Sequence, residues 1–367
     1  MHIRWLRWFA ILLASVVPLS ACFSDNGGET APSTAVFIHL GFLPGYTASQ
    51  ATALSADGSV VVGTASTAAG NRQAFRWNAQ RGMVGLGYMQ SGTYSSAAAV
   101  SADGSVILGN GDSASAPPTP AGIFRWTANA GATRLDSPAN AYLCSGSGLS
   151  GDGTIVAGTC LQFNSEAFRW VGNAAPVGLG RFGGGSDQTS SAMAISADGT
   201  VIVGAGHPAL TGAVMWAADG VATILGMLPG DTSAYAAAAS HDGAVIVGTS
   251  QDNAQIARAF RWTRAAGMEL LGEAPSGVIG TAAASISGDG SIVVGSGPTS
   301  GGEAALIWDA SHGWRLLASA LATDYRIDIP GWTLARATWI ADDGHTIAGY
   351  GTNPLGQTEA WIVQLPR

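Results

Sequence analysis

Apolar residues in this chain fall into short runs that recur at nearly constant distance. Val60-Val61-Val62, Val201-Ile202-Val203, Val245-Ile246-Val247 and Ile292-Val293-Val294 are apolar at every position, which marks a strand buried on both faces. An Asp-Gly pair precedes each run. The aspartates are Asp57, Asp103, Asp152, Asp198, Asp242, Asp289 and Asp343, spaced by 46, 49, 46, 44, 47 and 54 residues. Six positions after each comes a glycine: Gly63, Gly109, Gly158, Gly204, Gly248, Gly295 and Gly349. Seven matches at one offset define a repeat, read as Ser-x-Asp-Gly between two β-prone runs. The pair predicts a tight hairpin with a type I′ turn, in which both central residues take φ > 0.

A third strand follows in each unit, as Ala74-Phe75-Arg76-Trp77, Phe124-Arg125-Trp126, Ala167-Phe168-Arg169-Trp170 and Ala259-Phe260-Arg261-Trp262, with variants ending at Trp216 and Trp308 and a last copy with Trp361 at the Phe position. Residues two apart share one face, so Phe and Trp form an aromatic core layer while Arg points the other way. A fourth strand ends in Leu-Gly at Leu86-Gly87, Leu179-Gly180, Leu225-Gly226 and Leu271-Gly272. Arg134-Leu135-Asp136, assigned to blade three, and Leu316-Leu317-Ala318 in blade six depart from that ending.

Four antiparallel strands per unit, seven times over, predict an all-β, seven-bladed β-propeller. Runs of small residues, such as Ala97-Ala98-Ala99 and residues 236–239, suit the crowded innermost strand. The chain ends just after a third strand. The segment Val36 to Gly41, followed by Leu43-Pro44-Gly45, reads as a fourth strand and its exit, so it is expected to complete the seventh blade and remove the exposed edges.

The N-terminus has a different character. Arg4 and Arg7, an apolar run from Trp8 to Val17 and small residues before Cys22 give the layout of a secretory signal, over residues 1–21. Leu19-Ser20-Ala21-Cys22 resembles the lipobox of bacterial lipoproteins, which implies lipidation of Cys22 and a membrane partner through that anchor. Phe23 rather than Asp follows the cysteine, so an outer-membrane destination in the cell envelope is expected. Residues 22–35 read as the lipidated cysteine and a flexible tether, and 36–367 as the propeller.

Composition narrows the functional classes. The chain is 47% apolar with 52 Gly, 12 Trp and only 11% charged residues, as a packed body requires. It contains no Lys. Loss of Arg4 and Arg7 with the signal leaves 14 Arg against 24 acidic residues, a formal charge of −10. No nucleic-acid partner is expected at that charge.

The motif Ser-x-Asp-Gly-x-x-Val-Val-Gly, then Ala-Phe-x-Trp, then Gly82-Met83-Val84-Gly85-Leu86-Gly87 or Gly267-Met268-Glu269-Leu270-Leu271-Gly272, resembles the HAF-type extracellular repeats of bacteria. The closing stretch, Pro330-Gly331-Trp332-Thr333-Leu334 through to Ala360-Trp361, is similar to the terminal unit of such proteins. The resemblance spans residues 36–367 and implies an exported repeat domain, with no catalytic residues to carry over.

No catalytic constellation is evident. The Asp-Gly turn differs from the sialidase Asp-box, in which one residue separates Asp from Gly and a Trp follows. His39, His207, His241, His312 and His345 are scattered without metal spacing, and the aspartates lack the clustered carboxylates that calcium demands, so no metal and no cofactor are expected. Cys144 and Cys160 lie on opposite arms of the hairpin at Asp152-Gly153 and are predicted to form a disulfide, although ideal pairing sets Cys160 opposite Ser145, one residue out of register.

Ligands of propellers usually meet the face formed by the loops from an outer strand to the next inner strand. Those loops hold Tyr46, Tyr94, Tyr142, Asp187, Asp231, Tyr235 and a long insertion with Asp324, Tyr325, Arg326 and Asp328, groups suited to a glycan, peptide or protein ligand. The leading reading is a monomeric, non-enzymatic binding or scaffolding propeller. Its rival is a carbohydrate-active hydrolase or lyase on the same face, which two carboxyls facing each other across the channel would favour.

Overall fold

A computed structural model describes residues 34–89, 92–112, 121–182, 188–207 and 212–366. Cys22, residues 1–21 expected to form a signal, and Asp187 lie outside them. The described chain forms seven four-stranded antiparallel sheets, each a simple meander, with a single helix, Leu317–Asp324. Blade one runs Ala48–Leu54, Val61–Ser66, Arg72–Asn78, Gly82–Gly85 from the inside outward. The other innermost strands are Ser95–Val100, Leu143–Leu149, Thr189–Ile195, Ser233–Ala239, Ala282–Ile286 and Thr333–Ile340. In the seventh blade the order from the inside is Thr333–Ile340, Thr346–Thr352, Thr358–Gln364, and the outermost strand is Val36–His39.

Ring closure therefore follows the expected route. Val36 pairs with Gln364 and His39 with Trp361. A buried carboxylate reinforces the seam: Glu359 accepts the Gly41 N–H at 2.9 Å and the Asn353 side-chain amide at 2.7 Å, and lies 3.2 Å from His39 Nδ1.

The apolar runs explain how blades adhere. Val61, with Phe75 and Trp77, packs against Ala348 and Ile362 of blade seven, whereas its neighbour Val62, with Ala74, packs against Ile107 and Phe124 of blade two. The same division recurs at every junction, so each sheet is buried on both sides. The aromatic strand adds polar clips. Trp170 Nε1 donates to the Asp136 carbonyl and Trp216 Nε1 to that of Leu179, each reaching back one blade, while Arg125 Nη2 reaches forward to the Thr154 carbonyl.

The glycine at the fixed offset is a matter of space. A Cβ on Gly63 would sit 2.1 Å from the Gln50 carbonyl and 2.6 Å from Phe75 Cζ, and one on Gly248 2.1 Å from the Tyr235 carbonyl and 2.7 Å from Phe260 Cζ. Only Gly lets the aromatic layer lie beneath the inner strand.

Several expectations need correction. The Asp-Gly turn is not type I′, because Gly58 and its counterparts have positive φ but the aspartates do not. In blade one the Gly58 N–H bonds to the Ser55 carbonyl and the Ser55 N–H to the Val60 carbonyl, so Ala56 to Ser59 form a longer loop with Gly in the left-handed position. The Asp works through its side chain: Asp57 Oδ1 accepts from Ser55 Oγ at 2.6 Å and the Ser59 N–H at 3.0 Å, while Ser55 Oγ accepts the Val60 N–H at 2.9 Å. Blade seven carries Ala341 where the other six carry Ser. The Arg134 segment closes blade two, not blade three, whose outermost strand is only Val177–Gly178. The insertion before blade seven contains a helix because Leu317, Ala320 and Leu321 fall on one side and bury between blades six and seven.

The disulfide between Cys144 and Cys160 is present. Its one-residue mismatch disappears because a β-bulge between Gly146 and Gly148 adds a residue to the inner strand, setting Cys144 directly opposite Cys160. All seven inner strands carry this bulge, at Thr52, Ala98, Ser147, Met193, Ala237, Ala284 and Thr338.

Candidate functional site

Neighbouring blades cover both faces of an inner strand, and its own second strand covers one edge. A side chain there that remains accessible opens onto the central channel. The position seven residues before the repeat aspartate meets that condition in every blade: Gln50, Ser96, Ser145, Ser191, Tyr235, Ala282 and Arg336 are all accessible, between buried neighbours in blades one to six. Each lies opposite the residue that follows the repeat glycine, as in Tyr235 with Thr249 and Arg336 with Tyr350. The seven form a ring on the upper part of the channel, toward the face with the outer-to-inner loops.

Below them come the bulged residues. Thr52 Oγ1 donates to the Ala97 carbonyl at 3.0 Å, Ser147 Oγ to that of Ala192 at 2.8 Å, and Thr338 Oγ1 to that of Ala51 at 3.0 Å. These hydroxyls spend their protons stitching one blade to the next. Lower still, the residue before each repeat aspartate forms a floor with blade-to-blade backbone bonds, including Ala56 N to Ala102 O, Ala102 N to Gly151 O, Gly151 N to Ala197 O, His241 N to Gly288 O and Gly288 N to Asp342 O. A pocket of about 60 Å³ lies above this floor. On it, His241 Nδ1 and Asp342 Oδ2 are 2.8 Å apart across the small Gly288. The Asp342 hydrogen bond raises the His241 pKa, against some desolvation.

The upper ring is uneven. Blades two, three, four and six contribute Ser or Ala, and blade one contributes Gln50. Tyr235 of blade five and Arg336 of blade seven face a recess of about 280 Å³ whose blade-six wall is Ala282 and Ala284, with Ser296 behind. Among the described residues Arg336 has one ionic neighbour, Glu303 of blade six at 3.6 Å, and both side chains are substantially exposed.

The other sequence-nominated residues are dispersed. Tyr46 is tied to Tyr88 by a 2.9 Å hydroxyl contact, and burial, with that contact, pushes its pKa up to about 12. Tyr94 lies in a loop pinned by Asp112, which accepts the Thr93 and Tyr94 N–H groups at 2.7 and 2.6 Å; its hydroxyl meets Ser96 Oγ at 3.0 Å. Tyr142 sits on the blade-three rim among exposed Leu143, Leu161 and Phe163. Asp231 is not a surface group, since its carboxylate is wholly buried against Arg258. Asp324 pairs with Arg315, Tyr325 is half-buried against the blade-six/seven core, and Arg326 and Asp328 are exposed, Arg326 with φ 56°. Of the nominated residues that the structure describes, only Tyr235 lines the recess.

Gln50, Glu303 and Arg336 lie on strands, outside the loops where propeller ligand residues are expected. A signal was present: position −7 from the repeat aspartate varies from Ala to Tyr and Arg between small neighbours. Among the described residues no group of three or more His, Cys, Asp or Glu could hold a metal ion. Nor is any helix among them long and apolar enough to cross a membrane.

No protein-family model matches the chain, and no curated protein matches it in sequence. Solved structures match in fold. An oligogalacturonate lyase in complex with manganese is 12% identical with a TM-score of 0.62, covering 92% of this chain and 95% of its own. The oligogalacturonate lyase of Vibrio parahaemolyticus is also 12% identical, with a TM-score of 0.57 and 92% of each chain covered. A prolyl endopeptidase is 11% identical with a TM-score of 0.54 over 88% of this chain and 51% of its own. At these identities the likeness is one of fold.

Proposed function

We propose that the protein is an envelope-anchored, non-enzymatic binding propeller that receives its ligand, a glycan or peptide, at the upper mouth of the channel. The observation that carries this reading is the unevenness of the upper ring. Seven equivalent positions face one channel, and only those of blades five and seven bear a large aromatic and a cation. A repeat under purely structural demand gives no reason for Tyr and Arg where Ser and Ala suffice. Aromatic and charged groups converging on a mostly apolar recess suit ligand recognition.

Among the described residues, the channel-facing positions of the inner strands carry no pair of carboxylates such as glycoside hydrolysis uses. Among the three channel-facing positions of each inner strand, the one carboxylate is Asp342, held by His241 on the opposite side of the bulges. That supports binding over hydrolysis. The lyase activity of the fold neighbours belongs to those proteins. The signal and lipobox-like segment supports delivery to the envelope and anchoring through Cys22, and the resemblance to HAF-type repeats supports an exported domain.

The test is a combined glycan and peptide array probed with the full chain and with Tyr235→Ala. Binding that Tyr235→Ala abolishes supports the reading. Binding that survives the change, or no binding at all, overturns it.

A further inference from the structure

We infer that the recess between blades five and seven holds a carboxylate group, seated on Arg336, of a ligand whose body lies along the Tyr235 ring. The inference rests on the binding reading above and gives that ligand its chemistry. Among the described residues the Arg336 guanidinium has no hydrogen-bond partner. Its ionic neighbour, Glu303, stands at 3.6 Å, beyond the 2.7–3.2 Å of an N–H···O bond. The forked donors are therefore unspent at an accessible position beside an empty volume. A planar guanidinium in that state matches the two oxygens of a carboxylate.

The rest of the recess agrees. Tyr235 presents a ring and a hydroxyl without a hydrogen-bond partner among the described residues, and Ser296 a hydroxyl, while Ala237, Ala282, Ala283, Ala284 and Ala337 offer no competing charge. At about 280 Å³ the space falls just below the roughly 300–1,000 Å³ of drug-sized pockets. It therefore admits one acidic unit, whether a sugar acid or the carboxyl end of a peptide. Glu303 is the competing anion: it stands 3.6 Å from the guanidinium without itself lining the recess, and must yield to an incoming carboxylate.

The experiment is calorimetric titration of the full chain with four probes: glucuronate and its neutral counterpart glucose, N-acetylglycine and its neutral counterpart N-acetylglycinamide. At least one acid is expected to bind about ten- to a hundredfold tighter than its neutral partner, the gain of a charge-assisted hydrogen bond. Which acid does so distinguishes a sugar from a peptide source. Arg336→Gln should bring the acid down to the level of its neutral partner, and Glu303→Gln, which removes the competing anion, should strengthen it several-fold. Equal binding of acid and neutral probe, acid binding unchanged by Arg336→Gln, or no binding of either acid overturns the assignment. If Tyr235→Ala still abolishes binding on the array, the upper-mouth site stands and only the carboxylate assignment falls; if it does not, both fall.

Discussion

Replacing Ser101 with Ala probes the repeat motif at its centre. The Ser101 side chain is almost wholly buried, accepts the Val106 N–H at 2.9 Å and donates to Asp103 Oδ1 at 2.6 Å. Alanine removes both bonds and adds none, leaving the Val106 N–H without an acceptor at the mouth of a buried strand. An unsatisfied donor of this kind costs about 1–3 kcal/mol. The main-chain bonds Ser101 N to Val106 O and Gly104 N to Ser101 O persist, so the turn should keep its shape and the loss should lie toward the lower end. Blade seven supplies the reverse experiment, because Ala341 stands at the equivalent position; Ala341→Ser should stabilise by about 0.5–1.5 kcal/mol. Urea unfolding of the two variants against the parent measures both. A Ser101→Ala loss within the roughly 0.5 kcal/mol of an ordinary surface change would refute the assignment of the serine as the tie of the turn.

Other consequences can be checked on the same protein. Replacing both Cys144 and Cys160 with Ser removes a link across 16 residues and should cost about 3 kcal/mol, read as an earlier urea midpoint that a reducing agent no longer shifts. Gly248→Ala places a methyl 2.1 Å from the Tyr235 carbonyl and should destabilise by at least about 1–3 kcal/mol, whereas Gly70→Ala meets no atom within 4 Å and should suffer only from its φ of +87°. Hydrogen bonds from Ser101 and Ser150 hold the Asp103 and Asp152 carboxyls below the usual carboxylate range. The stability this lends is complete above the unfolded value of about 3.9 and is lost as pH falls through the lower folded values, so melting temperature should be flat in this respect near neutrality and drop below about pH 4. That drop should shrink in Ser101→Ala.

The blade count was legible because two periodicities coincide: Asp-Gly marks each hairpin, and the uniformly apolar second strand, such as Val60-Val61-Val62, marks burial between two neighbours. Closure by Val36–His39 was legible from the incomplete last unit. The turn type was not, because Asp-Gly suits both a two-residue turn and a longer loop in which Gly alone is left-handed; the Ser–Asp side-chain bond supports the latter in six blades, and blade seven adopts it with Ala341 in place of the serine. The cysteine register missed the bulge at Ser147, since Gly146-Ser147-Gly148 can pair straight or bulged and the choice is set by packing in the ring. Asp231 looked like a loop acid because its partner, Arg258, lies 27 positions away on another strand. Arg336 and Tyr235 become a pair only when seven inner strands are arranged around one axis, which no local pattern expresses.

The central claim, ligand binding at the upper mouth beside blade six, can be tested by filling the recess. In a chain carrying Cys22→Ser, with Cys144 and Cys160 joined, Ala282→Cys puts the one free thiol on the recess wall, and a bulky maleimide can be directed to it. For a glycan or peptide that the parent binds on the array, unlabelled Ala282→Cys should retain binding and the labelled form should lose it, while the same label at Ala222→Cys, on the exposed outermost strand of blade four, should have no effect. Undiminished binding by protein labelled at position 282 would contradict the claim.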